Sequence, residues 1–203
     1  MIAIVNYGLG NLRSVAGAIE RLGFEGVITN DPDELLRADK LILPGVGAFG
    51  DGMKNIRDLD LIKTLNHLAL EERKPILGIC LGFQLMAEES FEFGEYKGLN
   101  WINAKVEKIK TEGKLRLPHV GWNDFFQCRP SLLFEGVPEE ALFYYVHSYA
   151  VNCQDHDVVA GECEYGVRFT AAVEQDNIFG TQFHPEKSQK WGLKVISNFL
   201  EKA

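Results

Sequence analysis

Short apolar runs alternate with amphipathic stretches up to about residue 90, and that alternation admits few folds. Parallel strands joined by crossover helices produce it, because a strand covered on both faces is apolar throughout while each covering helix is apolar on one side only. Ile2–Val5 reads as a strand and Leu12 to Leu22 as a helix. A brief strand near Val27 and Ile28 leads to Asn30-Asp31-Pro32, a turn and helix-start signal, and Leu41-Ile42-Leu43 is the next strand. A helix from about Leu59 to Glu72 stops before Lys74-Pro75, and Ile76–Ile79 is strand again.

The second half changes character. Segments 99–110, 119–127, 142–151, 157–163, 167–175 and 178–183 are strand-like, with turns at Glu112-Gly113 and Asp176-Asn177. They predict an antiparallel extension of the sheet and a second small sheet. Trp191, Val195, Ile196, Phe199 and Leu200 fall at helical spacing and predict a C-terminal helix over 191–200. The whole, residues 1–203, is expected to form one α/β domain around a mixed central sheet.

Lys and Arg number 21 against 29 Asp and Glu, and the net charge of -8 repels phosphate backbones and anionic membrane surfaces, so neither nucleic acid nor membrane is expected as a partner. The opening MIAIVNYGLGN has no basic flank and runs straight into a glycine loop, and no apolar run approaches the about 20 residues of a membrane span. A cytoplasmic location is expected. Cys80, Cys128, Cys153 and Cys163 are scattered without a CxxC pair, which suggests neither a metal knuckle nor a disulfide framework. No metal or cofactor is expected, and Cys128, Cys153 and Cys163 read as small buried hydrophobes.

Cys80 differs because of its neighbours. Residues 75–86 read Pro-Ile-Leu-Gly-Ile-Cys-Leu-Gly-Phe-Gln-Leu-Met: an apolar strand, then Gly-x-Cys-x-Gly, then an apolar helix. This is the strand–turn–helix setting of a nucleophile elbow with cysteine in place of serine. The turn sets the sulfur at a helix N-terminus, where the positive end of the macrodipole surrounds reactive cysteines.

A base and its orienting acid follow near the C-terminus, in Gly180-Thr-Gln-Phe-His-Pro-Glu-Lys-Ser188. In extended chain, residues two apart point to one side, so Glu186 can take one N–H of His184 and leave the other ring nitrogen for the thiol. The pattern is that of covalent acyl transfer. His119 and His147 are rival bases, the first better read as a packing or partner contact and the second as a substrate-pocket residue; His67 and His156 read as surface residues. Strand 41–43 runs into Pro44-Gly45-Val46-Gly47-Ala48-Phe49-Gly50, a loop without the GK[ST] ending of a phosphate loop. A tetrahedral intermediate on an amide carbon needs main-chain donors, one from near Val46 or Gly47 and the other from Leu81.

Gly-Ile-Cys-Leu-Gly-Phe-Gln (78–84), Pro-Gly-Val-Gly (44–47) and His-Pro-Glu-Lys-Ser (184–188) together resemble the class I, triad-type glutamine amidotransferases. Asn6-Tyr7-Gly8-Leu9-Gly10-Asn11, Pro118-His119-Val120-Gly121-Trp122-Asn123 and His147-Ser148-Tyr149 narrow the likeness to the glutaminase subunits of imidazole glycerol phosphate synthases, over nearly the whole chain. The resemblance implies a flavodoxin-like three-layer domain that binds a (β/α)8-barrel cyclase and hydrolyses L-glutamine through a thioester, passing ammonia into the barrel to build imidazole glycerol phosphate and an aminoimidazole carboxamide ribotide. It further implies that Gln84, Glu92, Ser148, Tyr149 and the Gly47 backbone hold glutamine, and that Asn11, Trp122, Tyr144 and Lys187 lie at the partner interface. Where the family has a second aromatic after His-Ser-Tyr, this chain has Ala150. It also implies a Pro44–Gly47 loop whose donors are misaligned until partner and ligand bind. A glutaminase serving another synthase, such as one that amidates a cell-surface sugar, would carry the same triad, and a cysteine peptidase of similar fold or a binding module with a decayed site are the other readings.

Overall fold

The computed structural model describes residues 1–111, 113 and 115–203. The first half runs β1 (Ile2–Val5), α1 (Leu12–Arg21), β2 (Gly26–Thr29), α2 (Pro32–Arg37), β3 (Lys40–Gly45), α3 (Phe49–Asp58), α4 (Leu61–Asn66), β4 (Ile76–Cys80), α5 (Leu81–Leu85), β5 (Ala87–Ser90) and β6 (Tyr96–Lys97). The second runs β7 (Ile102–Lys108), β8 (His119–Asn123), β9 (Phe126–Gln127), β10 (Phe143–His147), β11 (Tyr149–Cys153), β12 (Val159–Tyr165), β13 (Val167–Gln175), β14 (Ile178–Thr181) and α6 (Gln189–Lys202).

The main sheet has the order β2-β1-β3-β4-β14-β13-β11-β7-β5-β6, with β12 pairing β13 and β9. From β2 to β14 every neighbour is parallel, and β14 through β7 continue antiparallel. This is a mixed α/β sheet with an antiparallel extension, as the sequence predicts. Alternate residues of the parallel strands enter different cores: Ala3, Val5, Leu41 and Leu43 pack with α2, α3, α4 and α5, whereas Ile2, Ile4, Ile42, Leu77 and Ile79 pack with α1 and α6. Both faces are therefore covered, which gives three layers and accounts for the unbroken apolar runs. The expected second sheet is the two-stranded ribbon of β8 and β10.

The helix-start signal at Asn30-Asp31-Pro32 has its cause in the cap: Asp31 Oδ1 accepts the Asp33 N–H at 2.8 Å and Pro32 opens α2. Several expectations need correction. The helix predicted from Leu59 to Glu72 begins at Leu61 and winds into a π-helical turn over His67–Glu71. The apolar helix after Cys80 lasts 5 residues, because the chain turns back into the sheet as β5. Segment 119–127 is β8 and β9, in different sheets. Segment 142–151 is likewise two strands, the ribbon's β10 and the main sheet's β11, broken at Ser148. A 3-10 turn, His156–Val158, precedes β12. Cys128 is exposed rather than buried, since it follows the short edge strand β9, while Cys153 and Cys163 are buried. Part of the Glu112-Gly113 turn, Glu112, lies outside the described residues.

Candidate active site

Strand β4 delivers Cys80 to the C-terminal edge of the sheet in a backbone conformation, φ 52 and ψ -108, that non-glycine residues rarely adopt. Close packing holds it there. A Cβ on Gly82 would stand 1.7 Å from the Leu43 carbonyl oxygen, so only glycine lets α5 begin so close to β3. The sulfur is largely enclosed, Cys80 being 5% exposed.

Beyond β14 the chain stays extended and alternates the direction of its side chains. The Gln182 N–H bonds the Ala171 carbonyl at 2.8 Å and the His184 N–H bonds the Tyr144 carbonyl at 2.9 Å. Phe183 points away and stacks on Phe143 with ring centroids 4.1 Å apart. Gln182 and His184 point the other way, toward Cys80. Pro185 turns the chain so that Glu186 Oε1 meets His184 Nδ1 at 2.9 Å, with the two side chains 2% and 1% exposed. The Ser188 hydroxyl locks the corner, accepting the Tyr144 N–H at 2.9 Å and donating to the His184 carbonyl at 2.6 Å.

Because the carboxylate takes Nδ1–H, Nε2 is left for the sulfur. Nε2 has no hydrogen bond of full geometry among the described residues, yet the ring lies close enough to Cys80 to feel it strongly. Burial, the largest influence on the ring, disfavours its charge; the Cys80 sulfur and Glu186 together outweigh it and raise His184 to about 10.

The rival histidines are held differently. His147 Nδ1 lies 2.8 Å from the Tyr149 carbonyl, which can only accept, so Nδ1 carries the proton and Nε2 accepts from His119 Nδ1 at 3.1 Å. His119 Nε2 then accepts from the Asn123 amide, also at 3.1 Å. Tyr145 and Tyr165 stack on the two sides of the His119 ring, at 4.9 and 4.1 Å. Burial lowers His147 to about 3 and His119 to about 4. With every ring nitrogen engaged, neither can serve as base to Cys80. His156 is exposed and His67 is partly exposed.

A cavity of about 320 Å³ opens over the sulfur, lined by Val46 and Gly47, by Cys80, Leu81 and Gln84, by Glu92 and Lys187, and by the corner Val146–Tyr149. All five residues expected to hold glutamine reach it. Gln84 spends its amide hydrogens on the Tyr149 carbonyl at 2.9 Å and Gln182 Oε1 at 3.0 Å. Glu92 Oε2 accepts the Phe49 N–H at 2.7 Å, and burial raises this carboxyl against that bond. The Leu81 N–H is the first of α5 and has no partner within the helix. Gly47 has φ 114, a conformation open to glycine, on the loop that faces it.

Of the residues expected at an interface, Tyr144 pairs with Trp122 across the ribbon, their rings 6.0 Å apart, and Lys187 Nζ lies 5.9 Å from the Tyr144 ring centre. Trp122 is 45% exposed. Asn11 is the residue that precedes α1. Gln182 and Ser188 lie within the His184 motif, and the structure gives them contacts to the sulfur and to the corner that the motif does not predict. The signal was a polar side chain within an apolar strand, which burial obliges to find partners. Among the described residues no cluster of His, Cys, Asp and Glu could hold a metal ion, and no helix is long and apolar enough to cross a membrane.

The chain is 47% identical over 203 residues to the imidazole glycerol phosphate synthase subunit HisH 2 of Methanococcus maripaludis, covering 100% of both. It is 50% identical to the subunit HisH of Sulfurimonas denitrificans, covering 99% of this chain and 98% of that one. Among solved structures, PurLQS from Thermotoga maritima superposes with a TM-score of 0.75 at 23% identity, covering 98% of this chain and 96% of that one. A glutamine amidotransferase of the same organism gives 0.69 at 15%, covering 98% and 96%. Residues 3–203 match the family described as glutamine amidotransferase class-I, and the chain belongs to that family.

Proposed function

We propose that this chain is the glutaminase subunit of an imidazole glycerol phosphate synthase, acting in histidine biosynthesis. The observation that carries the chemistry is the meeting of the Cys80 sulfur, His184 and Glu186 under a cavity sized for one small ligand. Full-length relatives named as subunits of that synthase support the pathway, over a synthase that amidates a cell-surface sugar.

Cys80 attacks the side-chain amide carbon of glutamine as a thiolate, and the C=O electrons move onto oxygen. The Leu81 N–H and a donor from the Val46–Gly47 loop hold that oxyanion, each such donor contributing roughly 3–4 kcal/mol in the transition state. The C–N bond then breaks as His184 delivers its Nε2 proton to the leaving nitrogen, releasing ammonia and a thioester. Neutral again, His184 takes a proton from water as it attacks the thioester, and collapse returns glutamate and the sulfur. Glu186 fixes the ring and offsets its charge throughout. Gln84, Glu92, Ser148, Tyr149 and the Gly47 backbone hold the substrate.

Ammonia is mostly protonated at neutral pH and then cannot act as a nucleophile, so it must pass to its acceptor without meeting solvent. We assign the acceptor to a (β/α)8-barrel cyclase docked over Asn11, Trp122, Tyr144 and Lys187. The test mixes the chain with that cyclase and its ribotide substrate. Wild type should form product from glutamine or from ammonia, and Cys80→Ala from ammonia alone; glutamine-dependent product from the variant would refute the assignment. Equal glutamine turnover with and without the cyclase would refute dependence on the partner.

A further inference from the structure

The mechanism above leaves one buried polar side chain against the nucleophile without a role. Gln182 is 0% exposed, and its Nε2 lies 3.7 Å from the Cys80 sulfur, within reach of an N–H···S hydrogen bond. His184 meets the same sulfur from two residues further along the strand. A carboxamide is ambiguous at such a place, because turning it over would set an oxygen against the sulfur and repel a thiolate.

The surrounding bonds remove the ambiguity. Gln182 Oε1 receives an N–H from Gln84 at 3.0 Å. Gln84 can present only its amide nitrogen there, because the same nitrogen gives its second hydrogen to the Tyr149 carbonyl at 2.9 Å. That carbonyl is an acceptor by nature, and it also takes the His147 Nδ1–H at 2.8 Å. Reversing Gln84 would set its oxygen against the Tyr149 carbonyl and Gln182 Oε1, and reversing Gln182 alone would set N–H against N–H, each a costly mismatch between buried side chains. A main-chain carbonyl on the pocket wall thus dictates, through two side chains, which end of Gln182 the sulfur meets.

We propose that Gln182 is a positioning residue for the nucleophile: its amide N–H holds the Cys80 sulfur in place, and Gln84 with the Tyr149 carbonyl sets the direction of that amide. The assignment deepens the glutaminase reading and rests on it. The hydrogen bond favours the charged sulfur that attacks and restrains it on the side away from the incoming amide carbon. It touches no part of glutamine, so its loss should be felt in turnover rather than in substrate affinity.

The test compares wild type with Gln182→Glu, which keeps the shape but presents oxygen to the sulfur, and Gln182→Leu, which presents nothing polar. Cys80 labelling by iodoacetamide at neutral pH, followed by mass spectrometry of its peptide, should slow about tenfold in both, the scale of one hydrogen bond to a charged partner. In the complex with the cyclase, kcat for glutamine should fall about tenfold with KM held within about twofold. Wild-type labelling rates in both folded variants, or a loss confined to KM, would overturn the proposal. Should both variants lose their cooperative thermal transition, Gln84→Met answers the question with Gln182 intact: freeing the amide to turn over should slow labelling, and an unchanged rate would overturn the proposal. Labelling reads the sulfur without glutamine, so a wild-type chain that labels normally but turns over no glutamine even in the complex with the cyclase would sink the glutaminase reading and leave this one standing.

Discussion

Two pairs of buried side chains, His184 with Glu186 and His147 with His119, each contain histidine and are each shielded from water, and their rings are shifted in opposite directions. His184 is raised to about 10, while His147 and His119 are lowered to about 3 and about 4. Burial disfavours the charged ring in all three. What differs is the company: His184 has a carboxylate at 2.9 Å and a sulfur nearby, whereas His147 has a main-chain carbonyl and another neutral ring. An isolated dipole does not compensate for lost hydration, and a full charge does. Proton-carrying capacity therefore lies at the corner behind Cys80, and the other pair is a rigid strut of fixed polarity between the pocket and β8.

The sharpest way to break this contrast is Glu186→Gln, which puts a neutral amide where the carboxylate stands and makes His184 resemble His147. We expect kcat for glutamine to fall roughly 10²- to 10⁴-fold with the fold intact, since the ring loses both its orienting acceptor and its compensating charge. A fall of less than about tenfold would mean the carboxylate does not set the behaviour of His184.

Acid stability gives the next largest effect. Between the folded values near 3 and 4 and the ordinary 6.5, unfolded His147 and His119 bind protons that the folded ones refuse. Stability contributed by these rings is thus present above pH 6.5 and lost as pH falls toward 4, by on the order of a few kcal/mol. His184, raised rather than lowered, is protonated in both states at the acid end of that window and adds only a small opposing slope near pH 6.5, where the unfolded ring is half protonated. Urea midpoints at pH 6.5 and 4.5 should show wild type losing more than His119→Gln; parallel losses would remove the rings from the account. The smallest effect belongs to Asn123→Ala, which strips the donor from His119 Nε2 and a bond to the Glu164 carbonyl. It should lower stability by about 1 kcal/mol and leave kcat within about twofold.

Much of this arrangement could be read before any coordinates, and the exceptions have physical reasons. The parallel strands were legible because both faces are covered and their residues are apolar without interruption. Helix α3 escaped because Gly50 and Gly52 weaken the helical signal, although Phe49, Met53 and Ile56 carry the spacing of a buried stripe. The break at Ser148 involves no glycine or proline. Its only trace is a slip in alternation, with Phe143, Tyr145 and His147 buried and then Ala150 and Val151 together. Cys80, His184 and Glu186 could be singled out because their spacing and turn residues are unusual. Gln182 could not, since an N–H aimed at a sulfur depends on which end of an amide faces it, and letters do not record direction.

The segment between Gly45 and Phe49 is tethered at both ends. On one side a Cβ on Gly45 would stand 2.1 Å from the Tyr7 hydroxyl and 2.9 Å from the Leu81 side chain, so β3 is wedged against the elbow. On the other, Phe49 is held by Glu92. A bridge of so few residues cannot swing as a lid; its freedom is confined to rotation of single peptide planes between two posts. One post is Glu92, a residue proposed to hold glutamine, so a ligand arriving there would pull on the anchor of the strip proposed to supply an oxyanion donor, and capture and readiness would become one mechanical event.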